Sequence, residues 1–170
     1  MIIDLASLGT TAKRIEVEFD PADVDLEGEL VQLQGKTAFA GEIVLVDSKA
    51  KLSGTVKAHL LIDCTRCLNG IEKDLEFPFR AKFVDSSSED TNAEAEISDD
   101  ALDESLAPDG QIDMAEVVRE QLLLALPEQI FCREDCKGLC PKCGANLNLI
   151  DCKCADDEID PRWAALKSLK

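Results

Sequence analysis

At 170 residues, 45% of them hydrophobic, the chain is long enough to bury one core. Its 35 acidic residues against 18 Lys and Arg give a formal net charge of −17, which argues against broad contact with nucleic acid or anionic lipid and suits basic partners. No apolar run approaches the roughly 20 residues of a membrane span. The opening MIIDLASLGTTAKRIEVEF lacks the basic-then-apolar order of an export signal, so the expectation is a cytoplasmic protein with reduced thiols and no membrane contact.

In chain order, the first half reads as β-structure. RIEVEF (14–19) alternates Ile15, Val17 and Phe19 with Glu16 and Glu18, the period of a half-buried strand. ELVQLQ (29–34) is a short candidate, and TAFAGEIVLV (37–46) a longer and more apolar one. In KLSGTVKAHLLIDC (51–64), Val56, Ala58, Leu60 and Ile62 share a face, and His59 falls on the polar face as an exposed strand residue. IEKDLEFPFRAKFV (71–84) sets Leu75, Phe77, Phe79, Ala81 and Phe83 on one side. Pro78 cannot donate a ladder hydrogen bond, which predicts an edge or a bulge there.

Residues 85–109 hold ten acidic side chains and no Lys or Arg; without them the chain has 25 acidic and 18 basic residues. This composition predicts a flexible acidic loop. DMAEVVREQLLLALP (113–127) then reads as a helix, with Asp113 as cap, Glu116 completing a capping box, and Pro127 as the stop. Val118, Leu122 and Ala125, with Met114 and Leu126, form its apolar stripe. A short last helix is predicted over 160–170, with Trp163, Leu166 and Leu169 on its buried face. The expected organisation is a β-rich region over 1–84, the loop over 85–112, and a helix plus cysteine module over 113–170, all in one integrated domain.

Eight cysteines fall in four pairs: Cys64/Cys67, Cys132/Cys136, Cys140/Cys143 and Cys152/Cys154. Two intervening residues let both sulfurs of a pair reach one ion, and tetrahedral zinc takes four such ligands. CPKCG is the sharpest pair: Pro141 stiffens the turn, and Gly144 permits the positive φ that turns backbone N–H groups toward thiolates. CTRC, between two strand patterns, reads as a knuckle at a hairpin tip. Eight ligands make two zinc sites. The preferred grouping is Cys64, Cys67, Cys132 and Cys136 in one, and Cys140, Cys143, Cys152 and Cys154 in the other. Pairing Cys64/Cys67 with Cys140/Cys143 remains open, as does a single zinc ion with four spare thiols. Disulfides suit an exported chain better. An iron–sulfur cluster or a dithiol redox centre could use the same residues. Catalytic zinc generally keeps a position open to water and usually carries His or carboxylate ligands. The module has few large apolar residues, and metal binding can supply on the order of 10 kcal/mol of folding free energy in such segments.

Three bases sit between paired cysteines: Arg66, Lys142 and Lys153. They could meet RNA phosphates or offset thiolate charge. The sequence contains no HExxH, G-x-S-x-G, P-loop or dinucleotide fingerprint, which points away from an enzyme.

CTRCL (64–68), REQLLLALP (119–127), CREDCKGLCPKCGANLN (132–148) and IDPRWAALKSL (159–169) together resemble the YceD-like large ribosomal RNA subunit accumulation protein family, from about residue 15 onward. The resemblance implies a role in accumulating large-subunit rRNA, with no catalytic residues to carry over. Some members of that family keep only the CTRC-like pair and ligand-type residues near 132 and 136, which favours the first grouping. The expected fold is α+β: a curved antiparallel sheet packed with one main helix, plus a C-terminal cysteine-rich zinc-binding module. The expected function is a non-enzymatic zinc-binding factor for large-subunit assembly that works through a basic ribosomal or assembly protein. Direct rRNA binding by zinc knuckles is the alternative, and a thiol redox protein is less favoured.

Overall fold

The alternating apolar residues of the first half do become strands. The computed structural model describes residues 1–26, 31–85, 104–154 and Arg162. The described strands are β1 (Ile2–Asp4), β2 (Lys13–Phe19), β3 (Val31–Leu33), β4 (Thr37–Val46), β5 (Lys49–Asp63), β6 (Gly70–Asp85), β7 (Glu104–Ala107) and β8 (Gln111–Asp113), with one helix, α1 (Met114–Ala125). The large curved sheet runs in the order β2-β4-β5-β6-β7, with β3 added to the far end of β5. β1 and β8 form a separate antiparallel pair.

The inner face of the sheet carries Phe39, Ile43, Leu52, Val56 and Leu60, each at most 1% exposed. They share one core with Met114, Val118 and Leu122 of α1. The helix also buries Val117, which the predicted stripe omits, while Ala125 is only half-buried. Asp113 caps α1 by accepting from the Ala115 backbone N–H at 3.0 Å. Glu116 pairs with Arg119 at 3.5 Å, and that guanidinium donates to the Asp25 carbonyl at 2.6 Å.

Gly41 and Gly54 lie opposite each other on β4 and β5. The Phe39 ring fills the space that their side chains would take: a Cβ on Gly54 would come within 2.6 Å of Phe39 Cζ and 2.7 Å of the Ala40 carbonyl oxygen. The turn between β4 and β5 is two residues long, and both Asp47 (φ 52°) and Ser48 (φ 62°) are left-handed, the geometry that matches the twist of a tight hairpin. The turn therefore starts β5 at Lys49 rather than at 51. Pro78 stands opposite Thr55, and among the described residues β6 gains a second neighbour only over Lys82–Asp85. The proline thus sits where one edge of the strand is open.

The structure corrects the sequence reading in two places. The sheet is mixed rather than wholly antiparallel, because β7 runs parallel to β6. The segment expected as a loop over 85–112 is structured at both ends: Asp85 closes β6, and 104–113 forms β7, a 3-10 turn over Pro108–Gly110, and β8. Its high density of carboxylates hides two buried apolar side chains, Ala107 (1% exposed) and Ile112 (2%). Glu104 is tolerated against the sheet because its carboxylate pairs with Lys49. Residues 86–103 of that predicted loop and the helix predicted over 160–170, Arg162 excepted, lie outside the described residues.

Candidate metal centre

Six residues connect β5 to β6, and they are CTRCLN. The Cys64 N–H donates to the Asn69 carbonyl and the Leu68 N–H to the Cys64 carbonyl, each at 2.9 Å. This closes a knuckle with Leu68 at φ 58°. The chain leaving α1 then binds this tip rung by rung. The Thr65 N–H donates to the Ile130 carbonyl at 2.9 Å and the Leu139 N–H to the Arg66 carbonyl at 3.1 Å. The Arg66 guanidinium donates to the Cys136 carbonyl at 3.0 Å and lies 3.9 Å from the Phe131 ring centroid. Gly138, at φ +76°, comes so close to the tip that a Cβ there would stand 3.0 Å from the Arg66 carbonyl oxygen.

These contacts bring Cys64, Cys67, Cys132 and Cys136 together. Their sulfurs lie within 4.8 Å of one another, and so do those of Cys140, Cys143, Cys152 and Cys154. All eight are free thiols. A tetrahedral ion bonded to sulfur at about 2.3 Å has ligand-to-ligand edges of about 3.8 Å. Cys64 and Cys136 are 3.8 Å apart, Cys67 and Cys132 3.6 Å, Cys143 and Cys152 3.4 Å, and Cys140 and Cys152 3.4 Å. Each quartet could therefore hold a metal ion. Thiolates around a cluster must span its bridging sulfides as well, so edges this short suit one ion per quartet better.

The two sites differ in setting. Cys64, Cys67 and Cys136 are buried and Cys132 is exposed, whereas in the second quartet only Cys140 is buried. The second quartet is local: the Cys140 N–H donates to the Ala145 carbonyl at 2.8 Å and the Gly144 N–H to the Cys140 carbonyl at 2.9 Å, with Gly144 at φ +71° as the CPKCG pattern predicts.

Backbone amides tune the thiols. Burial pushes Cys64 up, but N–H groups of Cys132, Arg66 and Cys67 outweigh it and bring the thiol from 9.0 to about 6. N–H groups of Cys143 and Lys142 bring Cys140 to about 6. Desolvation and the neighbouring sulfurs raise Cys132 to about 12, and contacts with Cys152 and Cys143 do the same to Cys154. Each metal-free quartet thus retains protons at neutral pH that an ion must displace. Acid returns them, so metal retention rises with pH. Apparent affinity is expected to fall more than tenfold per unit of pH lost below neutrality, which metal content after dialysis at stepped pH will check.

Asn148 was not singled out by the sequence reading. Its Nδ2 donates to Cys136 Sγ at 3.3 Å, while its Oδ1 accepts from the Lys137 N–H at 2.8 Å and from Arg133 at 2.7 Å. It lies in the second module and steadies a sulfur of the first. Asn148→Ala is expected to weaken metal binding at the first quartet about 10–100-fold without removing a ligand, measured by competition with a chelating dye.

Of the three interleaved bases, Arg66 is committed to the tip contacts described above. Lys153 is exposed, and Lys142 is exposed with its backbone N–H turned toward Cys140 Sγ. His59 meets Asp74 at 2.7 Å on the outer face of the sheet, away from both quartets in the strand register.

The model of the family described as large ribosomal RNA subunit accumulation protein YceD matches residues 52–170. The chain belongs to the YceD family. YceD relatives include an uncharacterized Mycobacterium tuberculosis protein, 31% identical over 178 residues, covering 98% of this chain and 79% of the relative. The Bacillus subtilis protein YlbN is 32% identical over 116 residues, 68% of this chain and 63% of its own. A chloroplastic Arabidopsis thaliana homolog named for large ribosomal RNA subunit accumulation is 37% identical over 60 residues, 35% of this chain and 19% of its own. No solved structure matches this YceD chain. The YceD family is linked to large-subunit rRNA accumulation, and its named members are accumulation factors. No described helix is long and apolar enough to cross a membrane.

Proposed function

We propose that the protein is a non-enzymatic zinc-binding factor that supports large ribosomal subunit assembly by holding a basic protein partner. Cys64, Cys67, Cys132 and Cys136 hold one zinc ion; Cys140, Cys143, Cys152 and Cys154 hold another. The observation that carries the zinc reading is the pair of all-sulfur quartets with tetrahedral edges and backbone N–H groups turned toward sulfur. Thiolate ligands select zinc over oxygen-seeking ions, and four protein ligands close the coordination sphere to substrate. Zinc here rigidifies a docking scaffold in the cytoplasm. Elemental analysis of protein purified without added metal is expected to give two zinc ions per chain; another metal, or none, refutes the assignment.

Supporting a basic partner is the net charge of −17, since proteins that bind rRNA carry dense positive charge. Residues 86–103 contain seven carboxylates. Replacing them with Asn and Gln is expected to slow association with basic large-subunit proteins and to flatten its salt dependence. Unchanged association rates at low salt refute steering by that segment.

Direct RNA binding is favoured only by the exposure of Lys142 and Lys153 beside the second quartet. Titration against large-subunit rRNA at several salt concentrations separates the two readings. A steep salt slope that flattens on Lys142→Ala and Lys153→Ala supports RNA contact.

A further inference from the structure

Among the exposed large apolar side chains of the described residues, Ile2 (62% exposed) and Leu106 (49%) line one groove. It has a volume of about 610 Å³ and runs between β7 and the first turns of α1. Pro108 and Val117 help to line it, and Asp109, Asp113, Glu116 and Glu120 supply charge; among the described residues no Lys or Arg lines it. Glu116 and Glu120 stand four residues apart on α1, hence on one face. Asp109 and Glu120 have no cation within ion-pair reach among the described residues, while Asp113 meets the chain's own N-terminus at 3.9 Å and Glu116 meets Arg119 at 3.5 Å. β7 is the last strand of its sheet and pairs along one edge only among the described residues.

Apolar anchors, a rim of four carboxylates of which two lack an ion-pair partner among the described residues, and an open strand edge together specify one kind of occupant. We propose that this groove docks an extended, lysine- and arginine-rich segment of a partner protein, laid along β7. Main-chain groups of the segment hydrogen-bond to the open edge of β7, as in strand addition. An apolar side chain sits between Ile2 and Leu106, and basic side chains on the opposite alternation reach Glu116, Glu120 and Asp109. The proposal rests on the basic-partner reading and gives it a location. It is separate from both cysteine quartets, none of whose residues line the groove.

The test uses the full chain with its metal and, as probes, the individual proteins separated from purified large ribosomal subunits. Two variants carry exposed substitutions, Glu116→Lys/Glu120→Lys and Leu106→Asp, with metal content confirming that the fold is retained. For any probe the wild type binds, the charge reversal is expected to weaken binding at least tenfold and to reduce its salt dependence. Leu106→Asp is expected to weaken binding by a similar factor while adding negative charge, an outcome that steering by charge alone does not produce. A photocrosslinking residue at 106 should capture the bound probe. Wild-type affinity in both variants overturns the groove and leaves the basic-partner reading standing. A crosslink from position 106 only to the protein's own chain overturns the groove as well. Failure of the wild type to bind any probe ends the basic-partner reading, and the groove proposal with it.

Discussion

Replacing Cys64 with serine is expected to leave one ion per chain instead of two and to release the segment after α1. Cys64 is fully buried, receives the Cys132 N–H on its sulfur at 3.4 Å and faces Cys136 at 3.8 Å. A hydroxyl is a poor ligand for a thiophilic ion, so three sulfurs would remain in a pocket shaped for four. Residues 128–139 have few other ties to the β-rich half: Ile130 joins the main core, Phe131 lies against Arg66, and the rest are the hydrogen bonds to the tip; Asn148 and Leu147 tie the segment only to the second cysteine module. Loss of a structural metal belongs to the most damaging class of single changes. For a chain of this length the expected fall in Tm is on the order of 10 °C or more. Limited proteolysis should cut first between 128 and 139. Cys154→Ser in the exposed quartet is expected to cost one ion with a much smaller fall in Tm, because that quartet spans one short loop. Equal falls would mean that the first quartet does not join the two halves of the fold.

Gly54→Val is expected to be nearly as damaging, for a reason unrelated to metal. A side chain at Gly54 enters the volume held by the Phe39 ring and presses on the Ala40 carbonyl. Overpacking a core costs about 1–3 kcal/mol, occasionally more, and rigid backbone on the far side of the strand pair puts this site at the upper end. Phe39→Ala removes the ring, which also packs 5.6 Å from Phe79, at a cost of about 3–5 kcal/mol. The double variant is expected to lose clearly less than the two single losses together, since the valine then occupies part of the emptied space. Urea unfolding with zinc held in excess measures all three. Simple additivity would show that ring and glycines do not share one volume.

Strands were legible wherever one face is apolar and the other polar. Ile15, Val17 and Phe19 announce β2, and Phe77, Phe79 and Phe83 announce β6, because burial of one face imposes a period of two. β7 escaped because its four residues sit at the end of an acidic run, and composition averaged over that run conceals Ala107 and the Lys49 partner of Glu104. The Asp47–Ser48 turn escaped because neither residue is glycine or asparagine; the pairing of β4 with β5 forces both into the left-handed region. Within the metal centre, each cysteine pair was visible from its spacing. The contacts that join the pairs, such as Gly138 packed against Arg66 and the Leu139 N–H on the Arg66 carbonyl, link distant residues and are encoded by no local pattern. Asn148 was invisible for the same reason, since an asparagine near cysteines gains its role only when its amide meets a particular sulfur.

Cys64 and Cys136 are 72 residues apart, and the first quartet is complete only when both are present. During synthesis, the hairpin of β5 and β6 therefore emerges with two open thiols at its tip and waits until residue 136 has left the exit tunnel. At about 5–20 residues per second that interval lasts several seconds. Over that time the nascent chain is exposed to oxidants and to competing ions, so any ion that fills the first quartet can close it only once residue 136 has emerged.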